Sequence, residues 1–305
     1  MPKSVMAFAF LFFLSFFVFF TEARLNSAAP QASQASDNRQ PGTLEQIIPG
    51  HYLYNSNGFI SGVIVTSEGV VVVDALSNEA MARHERQLIS SMIRQPVRYL
   101  ISSTFHNNYT RGNVAYQDTI KIGHEHYMAD LLDLMKDLPA AEQRARLPHH
   151  TYRDRMVLHL GGKEIQILHF GRAHTRGDSI VFVPEDRIVY MSELFFYDRF
   201  PWMNTGYVDW IHAIDIALQL EADIFVPGHG SLTDDPRESR QALVRFRQVL
   251  VDARDAVQKE IARGATEDQV TDAVLLPQYK HLSGYEEQRE VVLQRTYRDL
   301  KGILP

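Results

Sequence analysis

The sequence has 305 residues and 45% hydrophobic composition, so it can bury a full core as one large domain or two small ones. Lysine and arginine total 31 against 37 aspartates and glutamates, and the net charge of -6 gives no electrostatic reason to expect nucleic acid or an anionic membrane as a partner. There is no cysteine, which excludes disulfides, cysteine-type lipid attachment and thiolate metal ligands. We therefore expect a small-molecule substrate, and any metal must be held by histidine and carboxylate.

The amino-terminal segment has the layout of a secretory signal peptide. Lys3 precedes an almost purely apolar, Phe-rich run over residues 5–20, and the small residues Thr21 and Ala23 give a cleavage point. A membrane-spanning helix needs roughly 20 apolar residues, so a cleaved leader over residues 1–23 is favoured over an uncleaved anchor. This predicts a periplasmic or secreted protein that has no membrane attachment after cleavage.

A polar segment separates the predicted leader from the predicted fold. Residues 24–46 are rich in Ser, Ala, Gln, Asn and Pro and have little to bury, which indicates a disordered linker. The folded domain is predicted to span residues 47–305.

The predicted domain alternates strands and helices. Residues 59–74 predict a hairpin of buried strands, residues 80–94 have the apolar spacing of an amphipathic helix, and residues 97–101 form the next strand. A further helix is predicted near residues 127–135, and the later elements are strands near 156–160, 164–170, 179–183, 187–191 and 224–226 and helices over 208–220 and 237–263. Two similar halves of this kind predict an α/β fold of two sheets packed face to face with helices outside, a four-layer αββα sandwich.

Polar clusters follow several of the predicted strands, at the edge where such folds place functional loops. They contain His106, His174, Glu193 and His229. Imidazole and carboxylate suit zinc, iron or manganese. A single histidine after a strand is more often a turn residue satisfied by a backbone carbonyl, so it is the conjunction of all four that indicates a metal site.

The order of these segments resembles the metallo-β-lactamase superfamily. The resemblance rests on a hairpin ending in Asp74, a Ser-Thr-x-His segment followed by Gly112-Asn113, Gly-Arg-Ala-His-Thr-x-Gly-Asp at 171–178, a strand ending in a carboxylate, and Val-Pro-Gly-His-Gly at 226–230. It runs from about residue 52 to the carboxyl end and implies the αββα fold.

The same resemblance implies a metal site that is only partly kept. The family signature His-x-His-x-Asp-His falls on residues 104–109, where His106 remains while Thr104, Asn108 and Tyr109 replace three ligands. The resemblance assigns His106, His174 and His229 to metal binding. It also matches Glu193 to a bridging carboxylate that is usually aspartate. A neutral asparagine cannot supply the charge of an aspartate to a second metal, so one zinc ion, with iron or manganese as alternatives, is expected instead of two.

Two functional hypotheses follow. The first is an exported hydrolase that adds metal-activated water to an ester, lactone, amide or thioester. The second is a non-catalytic relative that uses the cleft to bind a ligand or protein. Tyr109 is a candidate catalytic residue that donates a hydrogen bond to a developing oxyanion, although it could equally fill the space of an absent metal and its histidine.

Other histidines receive structural interpretations. His124 and His126 come just before a predicted helix and are expected at the surface, where polar groups favour a helix amino end. His159 and His169 fall within predicted strands and are expected to serve packing or edge roles.

Overall fold

The structure is a computed structural model that describes residues 42–202, 207–232 and 235–304. The proposed signal peptide and most of the predicted linker lie outside these described residues. The helices are α1 (Glu79–Met92), α2 (Asn107–Thr110), α3 (Glu125–Leu134), α4 (Ala140–Arg146), α5 (Tyr207–Ala217), α6 (Ser239–Ala262), α7 (Glu267–Ala273) and α8 (Tyr285–Leu300). The strands are β1 (Thr43–Ile48), β2 (His51–Ser56), β3 (Phe59–Val65), β4 (Val70–Val73), β5 (Val97–Ser102), β6 (Ile120–His124), β7 (His150–Tyr152), β8 (Arg155–Leu160), β9 (Lys163–Leu168), β10 (Ile180–Val183), β11 (Ile188–Phe196) and β12 (Ile224–His229).

The fold begins earlier than the sequence predicted. β1 starts at Thr43, inside the segment assigned to a disordered linker, and pairs antiparallel with β2. Leu44 is buried while Thr43 and Glu45 are exposed, so one face of this short strand contributes to the core. The polar composition concealed the strand because half of its side chains face water.

The strands form two halves that meet at one residue pair. Hydrogen bonding follows the order β7-β6-β5-β4-β3-β12-β11-β10-β9-β8, with β2 on β3 and β1 on β2. β12 joins β3 through the pair formed by His229 and Phe59. Because β3 and β12 are joined by this one pair, the two halves can pack face to face as separate sheets.

Three apolar clusters define the layers. One cluster combines residues of both halves, such as Ile64 and Val71 with Ile167 and Val181, and it fills the space between the sheets. A second packs α1 on the outside of the first sheet, and a third packs α5, α6 and α8 on the outside of the second. This arrangement confirms the predicted four-layer αββα sandwich. No helix in the described ranges combines the length and apolar character needed to span a bilayer.

The topology brings the functional loops together. β4, β5 and β6 are mutually parallel, and β11 is parallel to β12. The carboxyl ends of parallel strands lie at the same edge of a sheet, so the segments that follow them meet there.

Candidate metal centre

The four histidine and carboxylate residues expected at the site lie together, with Glu193 at their centre. Ligand atoms of His106, His174 and Glu193 all lie within 4.8 Å of one another. Oε2 of Glu193 forms a hydrogen bond with Nδ1 of His106 and lies 3.5 Å from Nε2 of His174. Oε1 of the same carboxylate lies 3.1 Å from Nε2 of His229. His229 therefore contacts Oε1 of Glu193, whereas His106 and His174 lie next to Oε2.

Buried aspartates hold the loops that carry these side chains. Asp74 accepts hydrogen bonds from the backbone N–H and the hydroxyl of Ser103, which fixes the start of the loop leading to His106. Asp178 accepts bonds from the backbone N–H and the hydroxyl of Thr175, directly after His174. Both aspartates therefore hold the backbone beside a histidine of the centre.

Glu193 is aimed by an irregularity in its strand. Ser192 has φ of +48°, and the pairing of β11 with β12 shifts register on both sides of it. The hydroxyl of Ser192 donates to Asp74, while the next side chain enters the centre. A Cβ at Gly228 would lie 2.4 Å from the carbonyl carbon of Ser192, so the Pro-Gly-His-Gly segment needs glycine to approach this irregularity closely.

The strands also extend further than predicted. Glu193 and His229 lie inside β11 and β12 and do not follow them, and both are buried. Both side chains therefore project from strand residues and not from the loops that follow the strands.

The electrostatic environment favours an ionised Glu193 carboxylate beside a neutral His174 ring. Burial lowers the pKa of His174 to about 3, so its ring is neutral near neutral pH. Burial alone would raise the pKa of the Glu193 carboxyl, but His106 and His174 and the hydrogen bonds from His106 and His229 hold it well below its usual range. Burial lowers the pKa of His106 too, but the neighbouring Glu193 charge reverses this and raises it above the usual value.

This donor set fits a single ion. Two imidazole nitrogens and one carboxylate oxygen that converge within 4.8 Å offer the ligands that zinc, iron and manganese accept, and a three-residue set leaves positions for water.

The residues that replace family ligands have taken up other contacts. The Thr104 hydroxyl donates to Oε2 of Glu193 over 3.1 Å. Tyr109 is fully buried, its ring lies edge-on to His229 at 5.4 Å, and its hydroxyl donates to the backbone carbonyl of Gly228. Asn108 lines the cavity over the centre. The Tyr109 contacts match the space-filling alternative more closely than a hydroxyl directed at substrate.

A cavity of about 240 Å³, open to solvent, lies over the centre. We call it the metal-centre cavity. Sequence reasoning did not identify its apolar walls, which are formed by Phe105, Leu134, Phe196 and Trp202. Trp202 is 56% exposed. The signal available in the sequence was its aromatic side chain, nine residues after Glu193.

The histidines near α3 require one correction. α3 begins at Glu125, two residues before the predicted start, and Nδ1 of His124 caps it by accepting from the backbone N–H of His126. His124 is nevertheless buried, with its ring stacked on His169 at 3.8 Å, and burial together with His169 lowers its pKa to about 4. The expectation of a surface position for His124 is wrong because the stacking partner lies far away in sequence.

Comparisons with known proteins agree with the fold. A family model described as the metallo-beta-lactamase superfamily matches residues 61–229. A linear primary-alkylsulfatase from Pseudomonas sp. is 21% identical over 270 residues, which cover 73% of this chain and 51% of the relative. The alpha subunit of a 2,4-dinitroanisole O-demethylase from Nocardioides sp. is 25% identical over 200 residues, covering 62% of this chain and 58% of the relative. The chain thus spans about half the length of the curated relatives it matches.

Solved structures show the same architecture. A stereoselective inverting sec-alkylsulfatase from Pseudomonas sp. superposes with a TM-score of 0.69 at 13% identity, covering 86% of this chain and 51% of that one. A metallo-beta-lactamase from Pontibacter korlensis gives a TM-score of 0.58 at 18% identity, covering 69% of this chain and 99% of that one. The stretch matched by the family model is more than half of the 305 residues. The chain belongs to the metallo-β-lactamase superfamily.

Proposed function

We propose that this chain is a hydrolase that adds water to an ester, lactone, amide or thioester at a centre holding one divalent ion. The observation that carries the proposal is the convergence of His106, His174 and Glu193 within 4.8 Å at the base of the metal-centre cavity. When bound, such an ion lowers the pKa of its water to about 7 and polarises the bond under attack.

The protein side chains supply binding and orientation. His106 and His174 offer nitrogen atoms and Glu193 offers Oε2, while the bond from His229 to Oε1 fixes the rotation of the carboxylate. The apolar walls contributed by Phe105, Leu134 and Trp202 bind the carbon skeleton of a substrate and keep bulk water away from it.

The test is a hydrolysis assay on protein loaded with zinc, iron or manganese. The panel contains an aryl ester, a lactone, a thioester, an amide, an alkyl sulfate and 2,4-dinitroanisole, the last two taken from the names of the curated relatives. We expect turnover of at least one compound that falls by about a hundredfold or more in His106→Ala. His159→Ala, which changes an exposed histidine of β8, should leave it unchanged. Equal rates in both variants, or no turnover of any compound by metal-loaded protein, would contradict the proposal.

A non-catalytic relative is the second candidate. It is favoured by the contacts of Thr104 and Tyr109, which satisfy the positions of absent ligands with internal hydrogen bonds. Ligand binding in the metal-centre cavity without any turnover would support this second function.

We also propose that the chain acts outside the cytoplasm, in the periplasm or as a secreted protein, on a small-molecule substrate. The support is the apolar leader over residues 5–20 and the small residues Thr21 and Ala23 that follow it. Expression in a bacterial host followed by fractionation and amino-terminal sequencing tests this. Cleavage near Ala23 and recovery from the periplasm are expected, whereas an intact terminus in the cytoplasm would contradict it.

A further inference from the structure

A second cavity lies on the other side of Phe196 from the metal centre. It measures about 230 Å³ and lies between the end of β11, the first half of α6 and residues 279–282. We call it the arginine cavity, because Arg199 and Arg245 both line it. Phe196 is a wall of both cavities: its ring lies 4.4 Å from that of His229 and 5.6 Å from that of Phe246.

The walls of the arginine cavity are largely apolar. Phe246 and Val249 project from α6, Leu282 closes the opposite side, and Ala242 adds a small surface. Binding of the hydrocarbon part of a ligand against such walls is favourable, because it removes apolar surface from water.

The charged groups of the cavity are mainly cationic. Arg199 is half-buried and Arg245 is exposed, and in the described part of the chain neither guanidinium forms an ion pair. Arg247, two residues further along α6, differs because its Nε and Nη2 atoms both donate to the Asp215 carboxylate. Asp198 also lines the cavity and is exposed, so the two guanidinium groups outnumber one carboxylate.

We propose that the arginine cavity binds a small organic anion with an apolar body, such as a medium-chain alkyl carboxylate or alkyl sulfate. Arg199 and Arg245 hold the oxygens of the headgroup, since guanidinium groups present paired N–H donors to such oxygens. The chain of the ligand lies against Phe196, Phe246 and Val249. This binding uses none of the side chains that offer ligand atoms to the metal centre, and it shares only the Phe196 wall with the metal-centre cavity.

Titration calorimetry on the full chain tests the proposal with defined probes. Octanoate and octyl sulfate should bind, and octanol should bind about tenfold more weakly or worse because it lacks the charge. Affinity should rise by up to about fourfold for each methylene added between butanoate and octanoate, as expected for burial of the chain. Inorganic sulfate that binds as tightly as octyl sulfate would overturn the role of the apolar body.

Variants locate the site. Arg199→Gln and Arg245→Gln should each weaken octanoate binding by about tenfold, whereas Lys259→Gln, which removes the same charge elsewhere on α6, should leave it within about twofold. Arg245 is exposed, so its variant tests the proposal even if Arg199→Gln does not fold. Loss of binding in His174→Ala together with unchanged binding in both arginine variants would place the ligand at the metal centre and overturn the proposal. Absence of binding to folded wild-type protein at about 10 mM octanoate would overturn it as well.

Discussion

The hydroxyl of Thr104 lies 3.1 Å from Oε2 of Glu193, the same oxygen that accepts a hydrogen bond from His106. Threonine stands where the superfamily signature places a histidine, and its hydroxyl stabilises the ionised carboxylate. A glutamate is longer than the aspartate usual at this position, and the additional methylene lets the carboxylate reach between the histidines. The altered centre is therefore organised around one carboxylate, which Thr104, His106 and His229 contact.

Tyr109→Phe separates the structural from the catalytic role of Tyr109. The variant leaves the buried Gly228 carbonyl without its donor, so we expect the free energy of unfolding to fall by about 1–3 kcal/mol in urea titrations. Tyr99→Phe is the control, because it makes the same change at a half-buried tyrosine of β5. It should change the free energy of unfolding little. A large loss of kcat with unchanged stability would instead support hydrogen bonding to a developing oxyanion.

Glu85→Gln tests a buried carboxyl in α1, where Ser61 and Tyr116 donate to the two oxygens. Burial raises the pKa of Glu85 from 4.5 to about 7. The protonated carboxyl therefore stabilises the fold at pH values below 4.5, the pKa of this group in the unfolded chain. This contribution is lost as the pH rises through about 7, the pKa in the folded protein. As the pH rises from about 4 to about 8, the free energy of unfolding of Glu85→Gln should increase relative to that of wild type by on the order of 3 kcal/mol. Glu287→Gln, at an exposed position in α8, should show no such gain, and parallel pH curves for Glu85→Gln and wild type would contradict the account.

Gly112→Ala tests the close approach of two backbone segments beneath the site. A Cβ at Gly112 would lie 1.7 Å from the carbonyl oxygen of Ala75, so the backbone must shift, and we expect a loss of about 3 kcal/mol in unfolding free energy. Gly162→Ala meets no atom within 4 Å but has φ of +84°, and it should cost about 1–2 kcal/mol. Thermal and urea unfolding compare the two, and equal losses would show that the approach at Gly112 is relaxed by the surrounding chain.

Local patterns in the sequence predicted most of the architecture. Apolar runs with turn residues between them placed the hairpin of β3 and β4, and helical spacing placed α1. The order of polar segments predicted that His106, His174, Glu193 and His229 lie at one edge. The structure places them together.

Features that depend on distant contacts were not visible in the sequence. The left-handed turn at Ser192 depends on packing against Gly228, so the strand was ended too early and Glu193 was placed after it. The burial of His124 depends on stacking with His169 in another part of the chain. The walls of the metal-centre cavity come from separate loops and helices, and no single segment reports their convergence.

The metal content of purified protein tests the central claim most directly. After incubation with zinc, iron or manganese and removal of excess ion, elemental analysis should give about one equivalent for wild type and for His159→Ala. His174→Ala should retain at most about a tenth of an equivalent, because the loss of one of three convergent ligands removes most of the affinity. Less than about a tenth of an equivalent in folded wild-type protein, or equal content in wild type and His174→Ala, would contradict the assignment of this centre to metal binding.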